Sequence, residues 1–269
     1  MNRINQSLQR LKAQGKKALV TYIVSGDPKP GVTVSAMHAL VSAGVDLIEL
    51  GVPFSDPMAE GPVIQRAHER ALEHGTSLLD TLAYVQEFRT TNTDTPVVLM
   101  GYANPVERMG YEAFAQAAKA AGVDGLLTVD FPPEEVGPLD DCLKAVGIEN
   151  IFLIAPTTSP SRVEKICNVA RGFVYYVSFK GVTGANRLDV KSIATNVKAV
   201  KASAHTPVLV GFGIKDAVTA KAIGALSDGV VVGSALVAAM AEHGNDSDAI
   251  NTALTDIVKP MRDALDELI

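Results

Sequence analysis

The sharpest chemical signal in the chain is Glu49, in the run Val-Asp-Leu-Ile-Glu-Leu-Gly at 45–51. In an extended strand Leu47 and Glu49 point to one side, while Ile48 and Leu50 point to the other. An acid set among apolar neighbours is costly to ionise, so its pKa rises toward neutrality. A carboxyl poised there can both give and take a proton. The competing reading is a buried Glu that only holds an ion pair. The next loop, Gly-Val-Pro-Phe-Ser-Asp-Pro-Met-Ala-Glu-Gly-Pro at 51–62, carries two more acids, Asp56 and Glu60. Pro53, Pro57 and Pro62 restrict its shape. A second carboxylate facing Glu49 across a pocket would make an acid/base pair whose pKa values differ by environment. The same charges would also suit a solvated loop.

Three glycine-rich loops form a second group: Lys-Gly-Val-Thr-Gly at 180–184, Gly-Phe-Gly-Ile at 211–214 and Val-Gly-Ser-Ala at 232–235. Glycine lets backbone N–H groups approach an anion, and a helix N-terminus favours negative charge. Gly213, Gly233 and Ser234 fit a phosphate site, although any one glycine also serves an ordinary turn. Other residues read as structural. Asp46 and Asp124 begin strands and are expected to cap or pair locally. Asp130, ahead of Pro132 and Pro133, ends a strand and is placed to orient a loop. Tyr102 and Tyr175 point toward a mouth or a core, and the helical Met and His residues read as packing or surface.

Positioning these groups requires a scaffold, and one unit recurs along the chain. A short β-branched run is followed by a Gly/Pro/Asp loop and then by an amphipathic helical stretch. Eight such runs occur, at 18–24, 45–51, 96–101, 124–130, 150–155, 173–178, 206–211 and 229–233. They are continuously apolar, as parallel strands covered by helices should be. Val34, Met37, His38 and Val41 are expected to share one helical face, and Phe114, Ala117, Ala118 and Ala121 another. Helices at 63–74 and 78–90 fill the one long interval, and Gly44, Gly122 and Gly147 mark helix ends. Ile4, Leu8 and Leu11 predict a short amphipathic helix packed on the domain. The alternative for the acid-free, Arg- and Lys-bearing first 17 residues is a transit peptide.

The fold class is therefore α/β: a single (β/α)8 TIM barrel over 1–269, with an extra N-terminal helix and an extra helix after strand 2. In such barrels the active site lies at the C-terminal ends of the strands, and phosphate binds at the loops after strands 7 and 8. The structural alternative, a doubly wound sheet, would usually carry G-x-G-x-x-G after its first strand, and Ser-Gly-Asp-Pro-Lys-Pro-Gly at 25–31 is not one.

Composition narrows the function. With 269 residues, 24 Lys plus Arg and 30 Asp plus Glu, the net charge of −6 offers no broad field for a nucleic-acid backbone. Cys142 and Cys167 lie far apart with no C-x-x-C, which argues against a zinc site or disulfide framework and suits a reducing cytoplasm. The five histidines show no metal-binding spacing, no apolar run reaches a membrane span, and there is no Trp. The residues alone thus point to a cytoplasmic barrel enzyme that moves protons on a small phosphorylated substrate without an evident metal or organic cofactor. Isomerase and carbon–carbon lyase both remain open at this point.

The motifs resemble one family over nearly the whole length, the tryptophan synthase alpha chains. The match comprises Y-I-V-S-G-D-P at 22–28, I-E-L-G-V-P-F-S-D-P at 48–57, G-P-V-I-Q at 61–65, Y-A-N-P at 102–105, G-V-T-G at 181–184, G-F-G-I at 211–214 and V-G-S-A at 232–235. The resemblance implies retro-aldol cleavage of indole-3-glycerol phosphate to indole and glyceraldehyde 3-phosphate. Glu49 then matches the family's acid/base, which protonates carbon 3 of the indole and helps remove the glycerol hydroxyl proton. Glu60 matches the carboxylate that hydrogen-bonds the indole N–H. The family's usual residue there is Asp, so this chain departs by one methylene. Either the backbone is retracted or the indole is held differently.

The resemblance further implies that Tyr22, Met100 and Tyr102 line the indole pocket and that Tyr175 lies near the glycerol chain. It assigns phosphate contacts to Gly184, Gly213, Gly233 and Ser234, and places Thr183 and Asp56 in mobile closing loops. A separate beta chain carrying pyridoxal phosphate is the implied partner, in a tetramer of two alpha and two beta chains, with no cofactor on this chain. Pro53, Phe54, Asp56 and the Asn104–Pro105 turn are the implied partner contacts. Two other readings compete. One is a non-catalytic chain that mainly activates a beta chain. The other is a sibling barrel such as indole-glycerol-phosphate synthase, whose catalytic Lys the strand ends here do not supply.

Overall fold

The computed structural model describes residues 2–177, 190–211 and 213–269. Among these, eight parallel strands pair in chain order and close into a barrel. They are β1 (Ala18–Val24), β2 (Leu47–Gly51), β3 (Val97–Gly101), β4 (Gly125–Thr128), β5 (Glu149–Ile154), β6 (Val174–Val177), β7 (Val208–Gly211) and β8 (Gly229–Val232). The strand count matches the sequence reading, and most of the strands are a residue or two shorter than expected.

The helices are α1 (Arg3–Ala13), α2 (Thr33–Ser42), α3 (Pro62–Glu73), α4 (Leu78–Arg89), α5 (Ala103–Met109), α6 (Tyr111–Ala121), α7 (Gly137–Val146), α8 (Pro160–Val169), α9 (Val190–Ser203), α10 (Ala217–Gly224), α11 (Ser234–His243) and α12 (Ser247–Asp266). The extra helix at the N-terminus and the split after β2 are both present. The connection after β3 is also split, because Gly110 turns the chain at φ 86° between α5 and α6. Asn104–Pro105 is therefore not a turn: both residues lie in the first turn of α5. Proline fits there because the first N–H groups of a helix have no intrahelical acceptor to lose. A further helix, α12, follows α11 and packs against α2 and α10.

Strand alternation sorts side chains into two cores. Leu19, Ile23, Ile48 and Leu50 point outward into the layer beneath the helices. Val20, Leu47, Val98, Leu127, Ile151 and Leu209 point inward. Ile4, Leu8 and Leu11 of α1 join that interior cluster, so α1 stoppers the N-terminal end of the barrel. Each such buried Leu or Ile contributes about 1.5–3 kcal/mol relative to exposure. On α2 the buried face is Thr33, Ala36, Met37 and Leu40, one residue away from the expected face apart from Met37. On α6 it is Phe114, Ala115, Ala118 and Ala121. Gly44, Gly122 and Gly147 follow their helices with φ of 102°, 87° and 75°.

Asp46 and Asp124 do pair, but with residues far along the chain. Asp46 accepts the Leu19 N–H and holds Arg262 at 2.9 Å. Asp124 holds Arg3 at 3.0 Å and Arg89 at 2.8 Å and accepts the Val97 N–H. These pairs fasten the strand starts to α1, α4 and α12. Both cysteines are free. No described helix is long and apolar enough to cross a membrane.

Candidate active site

At the C-terminal ends of the strands the barrel opens into a cavity of about 470 Å³. Its floor is the uppermost inward layer of the strands: Tyr22, Glu49, Met100, Leu153, Tyr175 and Val231. Register explains the grouping. Tyr22 stands opposite Glu49 across β1–β2, and Gly51 stands opposite Met100 across β2–β3. Two aromatic hydroxyls fit only because glycines face them. A Cβ on Gly51 would collide with Tyr22 Oη, and one on Gly211 would collide with Tyr175 Oη.

Glu49 is fully buried, and neither carboxyl oxygen has a hydrogen-bond partner among the described residues. Burial, reinforced by the charge of Glu60, pushes its pKa up to about 8. An unpartnered buried carboxyl is rare and costly, so it calls for an explanation. Glu60 lines the same cavity from the loop after β2, and burial raises its pKa to about 7. Glu60 is thus the first of the two to ionise, and its charge then holds the proton on Glu49. The loop is fixed by a set of bonds around it. The Glu60 N–H donates to Pro57 O at 3.0 Å and the Ala59 N–H to Tyr102 Oη at 3.2 Å, while Phe54 stacks on Tyr102 at 4.8 Å.

The structure brings together Tyr22, Glu49, Glu60, Met100, Tyr175, Gly213, Gly233 and Ser234 around one cavity. Tyr102 stands outside that lining, behind the loop, against Val52, Leu78 and Pro105. Asp56 and Asn104 are exposed on the rim, Phe54 and Pro105 are half-buried, and Pro53 is buried. Asp130 accepts the Ala103 N–H at 2.8 Å and so anchors the start of α5. Thr183 and Gly184 lie outside the described residues. At the far wall Gly233 is the N-cap of α11 and brings no side chain of its own to cap that helix. Gly233 and Ser234, at the start of α11, both line the cavity, and a helix N-terminus at that wall suits an anion.

Sequence reasoning passed over two features. The apolar wall also includes Ile64, Val129, Leu153 and Val177. Strand parity with Tyr175 could have found Leu153 and Val177. His68, which the helical pattern assigns to packing or surface, is buried and in addition bridges Phe54 N and Tyr22 Oη. Its signal was present, because Ile64, Ala67, His68 and Ala71 fall on one face of α3.

The family model for the tryptophan synthase alpha chain matches residues 8–266. The chain belongs to that family. It is 59% identical over 268 residues to the tryptophan synthase alpha chain of Marinobacter nauticus, covering 100% of this chain and 99% of the relative. It is 55% identical over 266 residues to that of Cupriavidus taiwanensis, covering 99% and 100%. The crystal structure of tryptophan synthase subunit alpha from Legionella pneumophila superposes with a TM-score of 0.91 at 45% identity, covering 99% of each chain. The family's alpha reaction is the retro-aldol cleavage of indole-3-glycerol phosphate to indole and glyceraldehyde 3-phosphate. The chain is a carbon–carbon lyase of tryptophan biosynthesis, and the reading as a non-catalytic partner is not favoured.

Proposed function

We infer that Glu49 and Glu60 divide the proton chemistry of this cleavage between them. The observation that carries the reading is the buried carboxyl of Glu49 on the cavity floor, unpartnered among the described residues. With its pKa near 8, Glu49 is protonated at neutral pH and donates to carbon 3 of the indole ring. The ring then carries positive charge at its N–H. Glu60, which ionises near 7, faces that N–H as a carboxylate and stabilises the charge. The Glu49 carboxylate next takes the proton of the glycerol hydroxyl. The oxygen electron pair forms the aldehyde, the carbon–carbon bond to indole carbon 3 breaks, and its electrons restore the aromatic ring. Glu49 ends protonated, as it began.

The remaining roles follow the cavity. Tyr22 and Met100 flank the indole half and Tyr175 the glycerol half. Gly213, Gly233 and Ser234 receive the phosphate at the start of α11, Gly184 is assigned a phosphate contact by the family resemblance, and Thr183 is assigned to a loop that closes over the substrate. Tyr102 supports the Glu60 loop through the Ala59 N–H. In this reading 1–269 is one domain with no cofactor of its own. A beta chain bearing pyridoxal phosphate docks on the rim at Pro53, Phe54, Asp56, Asn104 and Pro105, in a cytoplasmic tetramer of two alpha and two beta chains. The free cysteines fit a reducing compartment.

The test is Glu49→Gln, which keeps the shape and removes the titrating group. Indole release is expected to fall by at least about 100-fold, the usual scale for losing a general acid/base. The far-ultraviolet circular dichroism spectrum should be unchanged. Full activity in this variant overturns the assignment.

A further inference from the structure

His68 occupies a position that no step of the cleavage requires. It sits on α3, buried, between the loop after β2 and the cavity floor. Its Nδ1 lies 3.1 Å from the Phe54 amide nitrogen, and its Nε2 lies 3.3 Å from Tyr22 Oη. A backbone N–H can only donate, so Nδ1 must be the unprotonated nitrogen. Burial pushes the ring's pKa down to about 4, so the imidazole is neutral and its one proton is on Nε2. The Nε2–H therefore donates to Tyr22 Oη. That hydroxyl is held over Gly51, where a Cβ would collide with it, and its own hydrogen is left for a different acceptor.

The two ends of this bridge differ in kind. Phe54 belongs to the rim loop, where its ring stacks on Tyr102. Tyr22 belongs to the cavity floor, where it is the strand neighbour of Glu49. One imidazole thus ties the backbone of the rim loop to an aromatic wall of the pocket. A displaced Phe54 amide would remove the acceptor role that fixes the tautomer, and with it the donor that orients Tyr22.

We propose that His68 is a positioning residue that couples the conformation of the Phe54 loop to the orientation of Tyr22 in the indole half of the cavity. This rests on the assignment of Glu49 and Tyr22 made above. It goes further by naming the side chain through which anything seated on the rim loop reaches the pocket.

A double-mutant cycle on the full chain tests it. His68→Asn can still accept the Phe54 N–H but cannot reach Tyr22, and Tyr22→Phe removes the hydroxyl. Kinetics of indole release from indole-3-glycerol phosphate are measured for both single variants and the double. In the wild-type background His68→Asn is expected to raise KM about five-fold, the worth of one neutral hydrogen bond, with a smaller change in kcat. In the Tyr22→Phe background it is expected to add less than about two-fold, since contacting residues are not additive. An equal cost in both backgrounds, or no cost in either, overturns the proposal. Nitrogen-15 spectra of the unmutated chain give a second readout that needs no substitution to fold. The His68 ring is expected as the Nε2–H tautomer, and finding Nδ1–H overturns the proposal. Glu49→Gln is run alongside. If it stays fully active the site assignment fails. If it is inactive while the cycle is additive, only the role of His68 fails.

Discussion

Two acids in one apolar cavity cannot ionise independently, and their order of ionisation sets a pH dependence. Burial raises both, and the Glu60 charge raises Glu49 further. As pH rises, the pair loses its first proton near 7, mainly from Glu60, and its second near 8, mainly from Glu49. The productive form has Glu60 ionised and Glu49 protonated. A plot of kcat/KM against pH should therefore be bell-shaped, rising through about 7 and falling above about 8. In Glu60→Gln the acidic limb should disappear. The alkaline limb should move to lower pH, because the charge that helped hold the Glu49 proton is gone. An unmoved alkaline limb would show that the two carboxyls do not communicate. Glu49 was legible in the sequence because strand alternation alone puts it on the inner face. The pairing with Glu60 was legible only as one of two readings, because the Glu60 side chain reaches the cavity from a loop whose path no periodicity encodes. The role of His68 was hidden for a similar reason: its partners are 14 and 46 residues away.

The strands position the chemistry through the residues that are missing from them as much as through those present. Gly211 ends β7 beside Val177 of β6, and the space above it is taken by the Tyr175 hydroxyl. Nothing about the backbone of Gly211 demands glycine; the demand is steric. Gly211→Ala should therefore destabilise the chain by about 1–3 kcal/mol, as overpacking does, and displace Tyr175 from the glycerol half of the cavity. Adding Tyr175→Phe should return part of the stability, because the colliding oxygen is gone while the ring carbons Cζ and Cε1, at 2.6 and 2.9 Å, still press on the new methyl group. Urea unfolding of the single and double variants checks this, and a double variant no more stable than Gly211→Ala would refute the steric account. At this scale the sequence showed the eight strands and the α3–α4 split clearly, since continuous apolar runs and helical periodicity are local signals. It did not show α5 as a helix. Asn104–Pro105 carries a turn signature, and the acceptor for the first helical N–H, that of Ala103, is Asp130, which is 27 residues away.

Across the whole molecule, chemistry and stability occupy opposite ends of the barrel. The cavity lies at the C-terminal ends of the strands. The N-terminal ends are closed by α1, whose Ile4, Leu8 and Leu11 complete the interior core. Asp124 fastens that closed end. It is nearly inaccessible, and it holds Arg3 from α1, Arg89 from the end of α4 and the Val97 N–H at the start of β3. Arg89 is itself only 10% exposed, and burial already lowers its pKa to about 10 against the opposing pull of Asp124. Removing the carboxylate would leave that guanidinium buried without its counter-charge. Stranding a buried charge in this way costs about 3–5 kcal/mol, far more than an exposed ion pair is worth. Arg89 keeps bonds to the Gly122, Asn92 and Thr95 carbonyls, which places the expected loss for Asp124→Ala at the lower end, about 3 kcal/mol. Because Asp124 touches nothing that lines the cavity, the kcat and KM of the molecules that remain folded should stay within about two-fold, as surface and distant sites usually add independently. Urea unfolding and indole release on one preparation separate the two effects. A large KM change at unaltered stability would mean that the closed end of the barrel reaches the active site, against the division of labour that this architecture rests on.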